Sequence, residues 1–369
     1  MQTILNQLVY FGYLQSLFLL FIYWFSPKNR QQINGYLAFF VIVLAIGLTG
    51  RMLYISEAFG QNYRLITFSE FATLLFGATI YLFTRSTLYP QPFDRKDLLH
   101  YVPALIYNSA VTLVFIVPTD AQMEERIASG WQFIYIVIFV GIGLSANIAY
   151  WAASLRLFLR FRKQMQDELS YVVKSQFFLN FLIAVAGCLT FWLTLYILGL
   201  FRYPIFNRTI WQFVWLSLAI IILFITYYGM VEPDLYRITP LVNEPKKYSQ
   251  SKLKLNDLDQ LKTRLDQLME EQKPYLNRKL LKSELAEMLG VSNPDIARLL
   301  NERIGMNFFE YINYYRIKEF IQLAQSEKAQ QLTLFGIAQE AGFNSKTTFN
   351  KSFKKLMGTS PSAYFSQQK

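Results

Sequence analysis

The stretches KSELAEMLGVSNPDIARLL (282–300) and TLFGIAQEAGFNSKTTFNKSFKKLM (333–357) repeat one pattern about fifty residues apart. In the first, Leu285-Ala286 and Leu289 mark a short helix, Gly290-Val291 a tight turn, and Ser292 the start of a second helix. Ser292 is a good N-cap, Pro294 is tolerated in a first turn, and Asp295 completes a capping-box pattern. In the second, Thr333 caps a helix carrying Ile337-Ala338, Gly342-Phe343 makes the turn, and Asn344-Ser345 open a helix running through Leu356. Helix, glycine turn and capped helix make up the helix-turn-helix arrangement, whose second helix is built to lie in the DNA major groove. Between the two units, residues 307–326 suffice for a connecting helix about 30 Å long. One turn of DNA is roughly 34 Å, so recognition helices at the two ends would meet successive grooves on one face.

The rest of the chain is of another kind. Of 369 residues, 53% are hydrophobic and 17% aromatic, more than a soluble chain usually carries. These residues collect in long runs that stop near residue 231. A bilayer core about 30 Å thick needs about 20 apolar residues of helix, and spans are expected at 4–25, 35–55, 65–84, 99–118, 131–155, 177–200 and 210–231. Helices are expected because the runs lack the alternation of barrel strands. The expected fold is therefore all-α, a seven-helix transmembrane bundle followed by two tandem helix-turn-helix units joined by a long helix. The opening residues, Met1 to Tyr10, have neither a basic region nor a small-residue cleavage site, so the first run is expected to stay in the protein.

Charge orients this body. An N-terminus outside puts Lys28, Arg30, Arg85, Arg95, Lys96, Arg156, Arg160, Arg162, Lys163 and Lys174 in inner loops. It leaves Arg51, Arg64, Arg126, Arg202 and Arg208 outside. Basic loops face the cytoplasm. The expected location is thus the inner (cytoplasmic) membrane, multi-pass, with the C-terminal part in the cytoplasm, where DNA is. That part is also the more basic one, with 20 Lys and Arg against 13 Asp and Glu in residues 245–369. Such an excess suits a polyanion or an anionic membrane surface.

Within the spans, Arg51 and Glu70 lie toward outer ends. They are expected to pair there, and as ionisable groups at depth they are the candidate contacts for an unknown signal ligand. Asn108, Asn147 and Asn180 are expected to bond between helices. One cysteine, Cys188, and one histidine, His100, leave no disulfide framework, no His-rich metal site and no place for a His-based triad away from His100. No Gly-rich phosphate loop appears, so neither enzyme chemistry nor a cofactor or metal is expected.

Four segments follow: a membrane domain over 1–232, a basic polar linker over 233–255, an amphipathic helix over 256–272, and the double helix-turn-helix over 276–369. The linker lysines would sit against anionic headgroups of the lipid bilayer. In the amphipathic helix Leu258, Leu261, Leu265 and Leu268 repeat at 3-4-3 spacing. This is either a short coiled-coil seam joining a homodimer or a face packed on the next domain.

The double unit resembles the AraC/XylS family of transcription regulators. The matching residues are the first unit with Gly305, Asn307-Phe308, Tyr311-Ile312 and Arg316-Ile317. They continue with Ile337-Ala338, Gly342-Phe343-Asn344-Ser345, Phe349, Phe353-Lys354-Lys355, Gly358-Thr359-Ser360-Pro361 and Tyr364. The resemblance covers about ninety residues and is closest to membrane-anchored members in which spans precede the reader. It implies promoter DNA as partner. By motif position the base-reading candidates are Asn293 and Arg298 in the first unit and Lys346, Thr347, Asn350 and Lys351 in the second. Lys354 and Lys355 are expected on phosphates. Ile296, Leu299, Leu300, Phe349 and Phe353 are expected in the core. Two features depart from the family pattern. Leu281 stands where a Thr cap is usual, and Pro294 and Ala297 stand where longer side chains are common. The first helix is therefore expected to read fewer bases. The function expected is a membrane-bound one-component regulator under control of a sensed signal. The alternative is a seven-helix transporter or ligand-binding membrane protein with an accessory regulatory domain. A third reading is a scaffold whose basic domain binds lipid.

Overall fold

Every apolar run of the sequence becomes a helix in the computed structural model, which describes residues 2–25, 35–57, 62–89, 94–171, 176–201, 208–231, 255–326 and 331–366. The polar linker (233–255, except Leu255) and the loop residues Lys28, Arg30, Lys174 and Arg202 lie outside the described residues. The chain divides into two units. One comprises Met1–Leu159 with Ser175–Pro240, the other Arg160–Lys174 with Leu241–Lys369.

The first unit contains α1 (Gln2–Phe25), α2 (Gly35–Ser56), α3 (Thr73–Leu88), α4 (Val102–Val111), α5 (Asp120–Ala128), most of α6 (Trp131–Glu168), α7 (Gln176–Leu200) and α8 (Arg208–Val231). Among the described residues, six helices are long and apolar enough to cross a membrane, and Phe213–Thr226 is a shorter apolar stretch. That stretch lies within α8, where the seventh span was expected. The third and fourth expected spans are not simple α-helices. A five-residue α-helical segment, Tyr63–Thr67, and a 3-10 segment, Phe68–Ala72, precede α3. A 3-10 segment, Arg95–Tyr101, precedes α4, and a π segment, Thr112–Ile116, follows it. These breaks fall where polar side chains compete for the backbone. Asp94 accepts from the Lys96 N–H at 3.1 Å, Thr112 Oγ1 donates to the Asn108 carbonyl at 2.8 Å, and Glu70 sits inside the 3-10 turn.

Interhelical asparagine bonds form as expected at two positions. Asn147 Nδ2 donates to the Thr73 carbonyl at 2.9 Å, and Asn108 Nδ2 to the Phe71 carbonyl at 3.2 Å. The expected Arg51–Glu70 pair does not form. Glu70 Oε2 instead accepts from Thr73 Oγ1 at 3.0 Å and from Tyr107 OH at 3.3 Å, and no ion pair reaches Glu70 among the described residues. Arg51 lies over the Tyr54 ring, 5.7 Å from its centre. From this 3-10 turn Glu70 meets Tyr107 of α4.

The second unit contains α9 (Leu255–Glu271), α10 (Lys282–Leu289), α11 (Asn293–Leu299), α12 (Phe308–Ala324), α13 (Leu334–Glu340), α14 (Lys346–Met357) and α15 (Pro361–Ser366). It has two apolar cores. The first holds Leu285, Leu289, Ile296, Leu299, Phe308 and Ile312, together with Leu258, Leu261, Leu265 and Leu268. All four stripe leucines of α9 are thus buried inside this unit, at most 8% exposed. An intermolecular seam would need them exposed, so the dimer-seam reading is corrected: the stripe packs on the reader. The second core joins Ile317, Phe320, Ile337, Phe343, Phe349 and Phe353. Helix α12 contributes to both cores, as the expected connecting helix does, and its 17 residues span about 26 Å.

Candidate nucleic-acid interface

The helix pairs α10–α11 and α13–α14, where the two helix-turn-helix units were expected, are built by local polar bonds. Gly290, at φ +64°, ends α10, and the Val291 N–H returns to the Ala286 carbonyl at 3.0 Å. Leu281 cannot cap α10 with its side chain, but the Glu284 carboxylate takes the Leu281 N–H at 2.9 Å and holds one orphan donor. Asp295 closes the start of α11 by accepting the Ser292 N–H at 3.1 Å. In the second unit Thr333 Oγ1 accepts from the Gly336 N–H at 3.0 Å, and Ser345 caps α14 through the Thr348 N–H at 3.4 Å.

The second recognition helix, α14, presents Lys346, Thr347, Asn350, Lys351, Lys354 and Lys355 to solvent, while Thr348, Phe349 and Phe353 face the core. Of these, Lys355 is in an ion pair with Glu310. Lys351 and Lys355 border a groove of about 530 Å³ that also includes Glu310 and Asn313. The exposed row therefore offers two types of group: Asn350 and Lys351, which can pair with base edges, and lysines that suit phosphate oxygens.

Helix α11 differs. Arg298 pairs with Glu302 at 3.0 Å across one helical turn. Ala297 is only 7% exposed and belongs to the core. Asn293, the first residue of α11, donates from Nδ2 to Glu168 Oε2 at 3.0 Å. The other oxygen of Glu168 accepts from Lys282 Nζ at 2.7 Å, and the Lys282 side chain is 3% exposed. The neighbouring backbone joins in. Leu169 and Leu281 form an isolated antiparallel bridge, and the Ser170 N–H donates to the Leu280 carbonyl at 3.2 Å.

Arg316 completes the attachment. It is 1% exposed and donates to four acceptors. Its Nε reaches the Tyr275 carbonyl at 2.7 Å, Nη1 the Ser170 carbonyl at 2.7 Å, and Nη2 both Ser170 Oγ at 3.0 Å and the Asn277 carbonyl at 2.7 Å. No carboxylate is among these acceptors. Burial pushes the guanidinium down to about 9, so it remains charged at neutral pH. A buried charge is tolerable only when its donors are satisfied, and here two of the four bonds come from Ser170.

The residues that sequence reasoning missed are Glu168, Ser170 and Lys282. Their bonds join positions 114 to 146 residues apart, so no local pattern reports them. One signal was present: the apolar run ending near residue 155 continues into a helical stretch that should have suggested a helix outlasting its span.

A Helix-turn-helix domain family model matches residues 285–367. The chain is 29% identical over 105 residues to the Transcriptional regulatory protein HptR of Staphylococcus aureus (strain NCTC 8325 / PS 47), and the match covers 28% of this chain and 40% of that protein. A match of the same identity and coverage is found with the Uncharacterized response regulatory protein SERP2406 of Staphylococcus epidermidis. The chain thus spans about 40% of the length of the curated relatives it matches. No solved structure matches it. The C-terminal segment is a helix-turn-helix domain, a DNA-binding fold, and the described part of the chain is helical throughout its regular elements.

Proposed function

We propose that this chain is a membrane-bound transcription regulator of the AraC/XylS type. Its apolar unit senses a signal, and its C-terminal unit binds promoter DNA in the cytoplasm. The observation that carries the reading is the position of residues 160–171. They continue the helix of the fifth expected span, yet they belong to the reader unit and bond the start of its first recognition helix. Helix α6 has 38 residues, whereas a bilayer core takes about 20. The remainder leads directly into Glu168 and Ser170.

The N-terminal residues of a recognition helix are the ones that contact base edges. With Asn293 on Glu168, a carboxylate occupies that end and opposes the approach of phosphates. The proposed control is therefore a hold. While Glu168 and Ser170 stay bonded, α14 reads DNA alone; a signal that shifts α6 frees α11, and the second half-site is then read as well. A ligand shifts this equilibrium only by binding the released state more tightly than the held one.

The topology is tested by reporters. An enzyme active only outside the cytoplasm should be active when fused after residue 125 and silent when fused after residue 240. The reverse pattern would place the reader away from DNA and end the proposal. Sequence-selective shifts of a promoter fragment by the full chain in nanodiscs would dismiss the lipid-scaffold reading. Substrate flux that persists after deletion of residues 245–369 would favour the transporter.

A further inference from the structure

Glu70 borders two apolar cavities of the first unit. One, of about 230 Å³, is walled by Phe76, Phe133, Trp192, Tyr196 and Trp215. The other, of about 510 Å³, shares Glu70, Val140 and Trp215 and extends past Tyr107, Phe115 and Phe139. The larger has the size of a site for a small organic molecule, and both have the make-up of one, apolar walls with a few fixed polar groups. Both hydrogen bonds to Glu70 come from neutral hydroxyls and fall on one oxygen, Oε2. No ion pair neutralises the carboxylate among the described residues. A charge surrounded by apolar walls is costly unless an opposite charge accompanies it.

We propose that these cavities bind a lipophilic amine, with an aromatic or alkyl body between the aromatic walls and an ammonium group on Glu70. Three features select this class. A buried carboxyl without an ion pair either takes up a proton or ionises beside a cation, and an ammonium group supplies that cation. The indole rings of Trp192 and Trp215 offer faces that attract cations. The walls are apolar enough to exclude a strongly hydrated ligand but accept a hydrocarbon body. An anionic ligand is disfavoured at Glu70: Arg51 borders only the larger cavity, where it lies over the Tyr54 ring. The proposal deepens the sensing role given above and rests on that reading for its regulatory meaning, though not for the binding itself.

The test uses the full chain in nanodiscs and three probes of one shape: 3-phenylpropylamine, 3-phenylpropan-1-ol and 3-phenylpropanoate. Binding is read by titration calorimetry at neutral pH. The amine should bind at least ~tenfold tighter than the alcohol and the acid, as expected for a buried hydrogen bond to a charged group. Glu70→Gln should bring the amine down to the level of the alcohol and leave the alcohol unchanged, which also shows that the variant is folded. Val140→Phe, which fills space next to both cavities, should weaken all the probes. The proposal fails if the amine has no advantage, if its advantage survives Glu70→Gln, if Val140→Phe has no effect, or if no probe saturates. Operator binding measured in parallel separates the two claims. Amine binding that leaves DNA affinity unchanged sinks the regulatory reading and keeps the site. An amine effect on DNA affinity that is indifferent to Glu70 does the reverse.

Discussion

The two recognition helices are written in one local code and end in different surroundings. Each follows a glycine turn with positive φ, Gly290 at +64° and Gly342 at +96°. A Cβ added at Gly290 would meet nothing within 4 Å, whereas one at Gly342 would lie 2.4 Å from the Tyr275 carbonyl oxygen and 3.0 Å from Arg316 Nε. The first turn is open and the helix after it is held, through Asn293 on Glu168. The second turn is wedged against the Arg316 network, and the helix after it displays six polar side chains to solvent. Local pattern thus sets where each helix starts and turns, and distant residues set what each helix touches.

The largest expected effect comes from the network itself. Arg316→Leu removes the donors that serve the Tyr275, Asn277 and Ser170 acceptors and should cost about 3–5 kcal/mol, because each buried acceptor left unsatisfied costs roughly 1–3 kcal/mol. Thermal unfolding of the full chain should show the reader unit melting early and residues 160–171 becoming cleavable. A shift of only a degree or two would mean that the attachment is cosmetic.

Next come the two turns, compared directly. Gly342→Ala combines left-handed strain with a collision against backbone and should cost about 3 kcal/mol. Gly290→Ala has strain alone and should cost about 1 kcal/mol. Equal losses in denaturant unfolding would erase the distinction drawn between the turns.

Smaller effects separate the side chains of α14. Lys351→Ala or Asn350→Ala should relax preference at particular base pairs, by about 1–3 kcal/mol for a good bidentate contact. Lys354→Ala should weaken every sequence alike and lower the salt slope by about one. Lys355→Ala should do less, because Lys355 already has Glu310 as a partner. The readout is binding of the full chain to a selected operator and its point variants at several salt concentrations. Uniform losses for all four variants would mean that charge and DNA shape carry the binding.

Much of this architecture was legible in the residues, for identifiable reasons. Runs of about 20 apolar residues announce helices by length alone, and Thr333, Ser345 and Asp295 announce helix starts because their side chains take backbone donors within one turn. The burial of Phe349 and Phe353 followed from their spacing. The stripe of α9 was legible as a face, but its partner was not: periodicity shows which leucines are covered and never what covers them. Glu70 was legible as a carboxylate at depth, while it meets Tyr107 from a 3-10 segment that apolar composition does not signal. Glu168 was invisible, since a carboxylate that holds a helix 125 residues away looks, in sequence, like any charge at the end of a basic helix.

The account's central claim is that the C-terminal end of α6 holds the first recognition helix back from DNA, and a reversible lock tests it most directly. Glu168→Cys and Asn293→Cys, with Cys188→Ser to remove the only native thiol, are bridged through two disulfides by a short bis-methanethiosulfonate, since the tips of a Glu and an Asn side chain meet across a wider gap than one disulfide spans. Operator affinity of this one protein in nanodiscs is measured bridged and reduced. The account predicts that the bridged chain binds at least ~tenfold more weakly, the energy of about one good base contact, and that its footprint retains only the half-site of α14 until reductant restores both. Equal affinity and an unchanged footprint in the bridged and reduced states would contradict it.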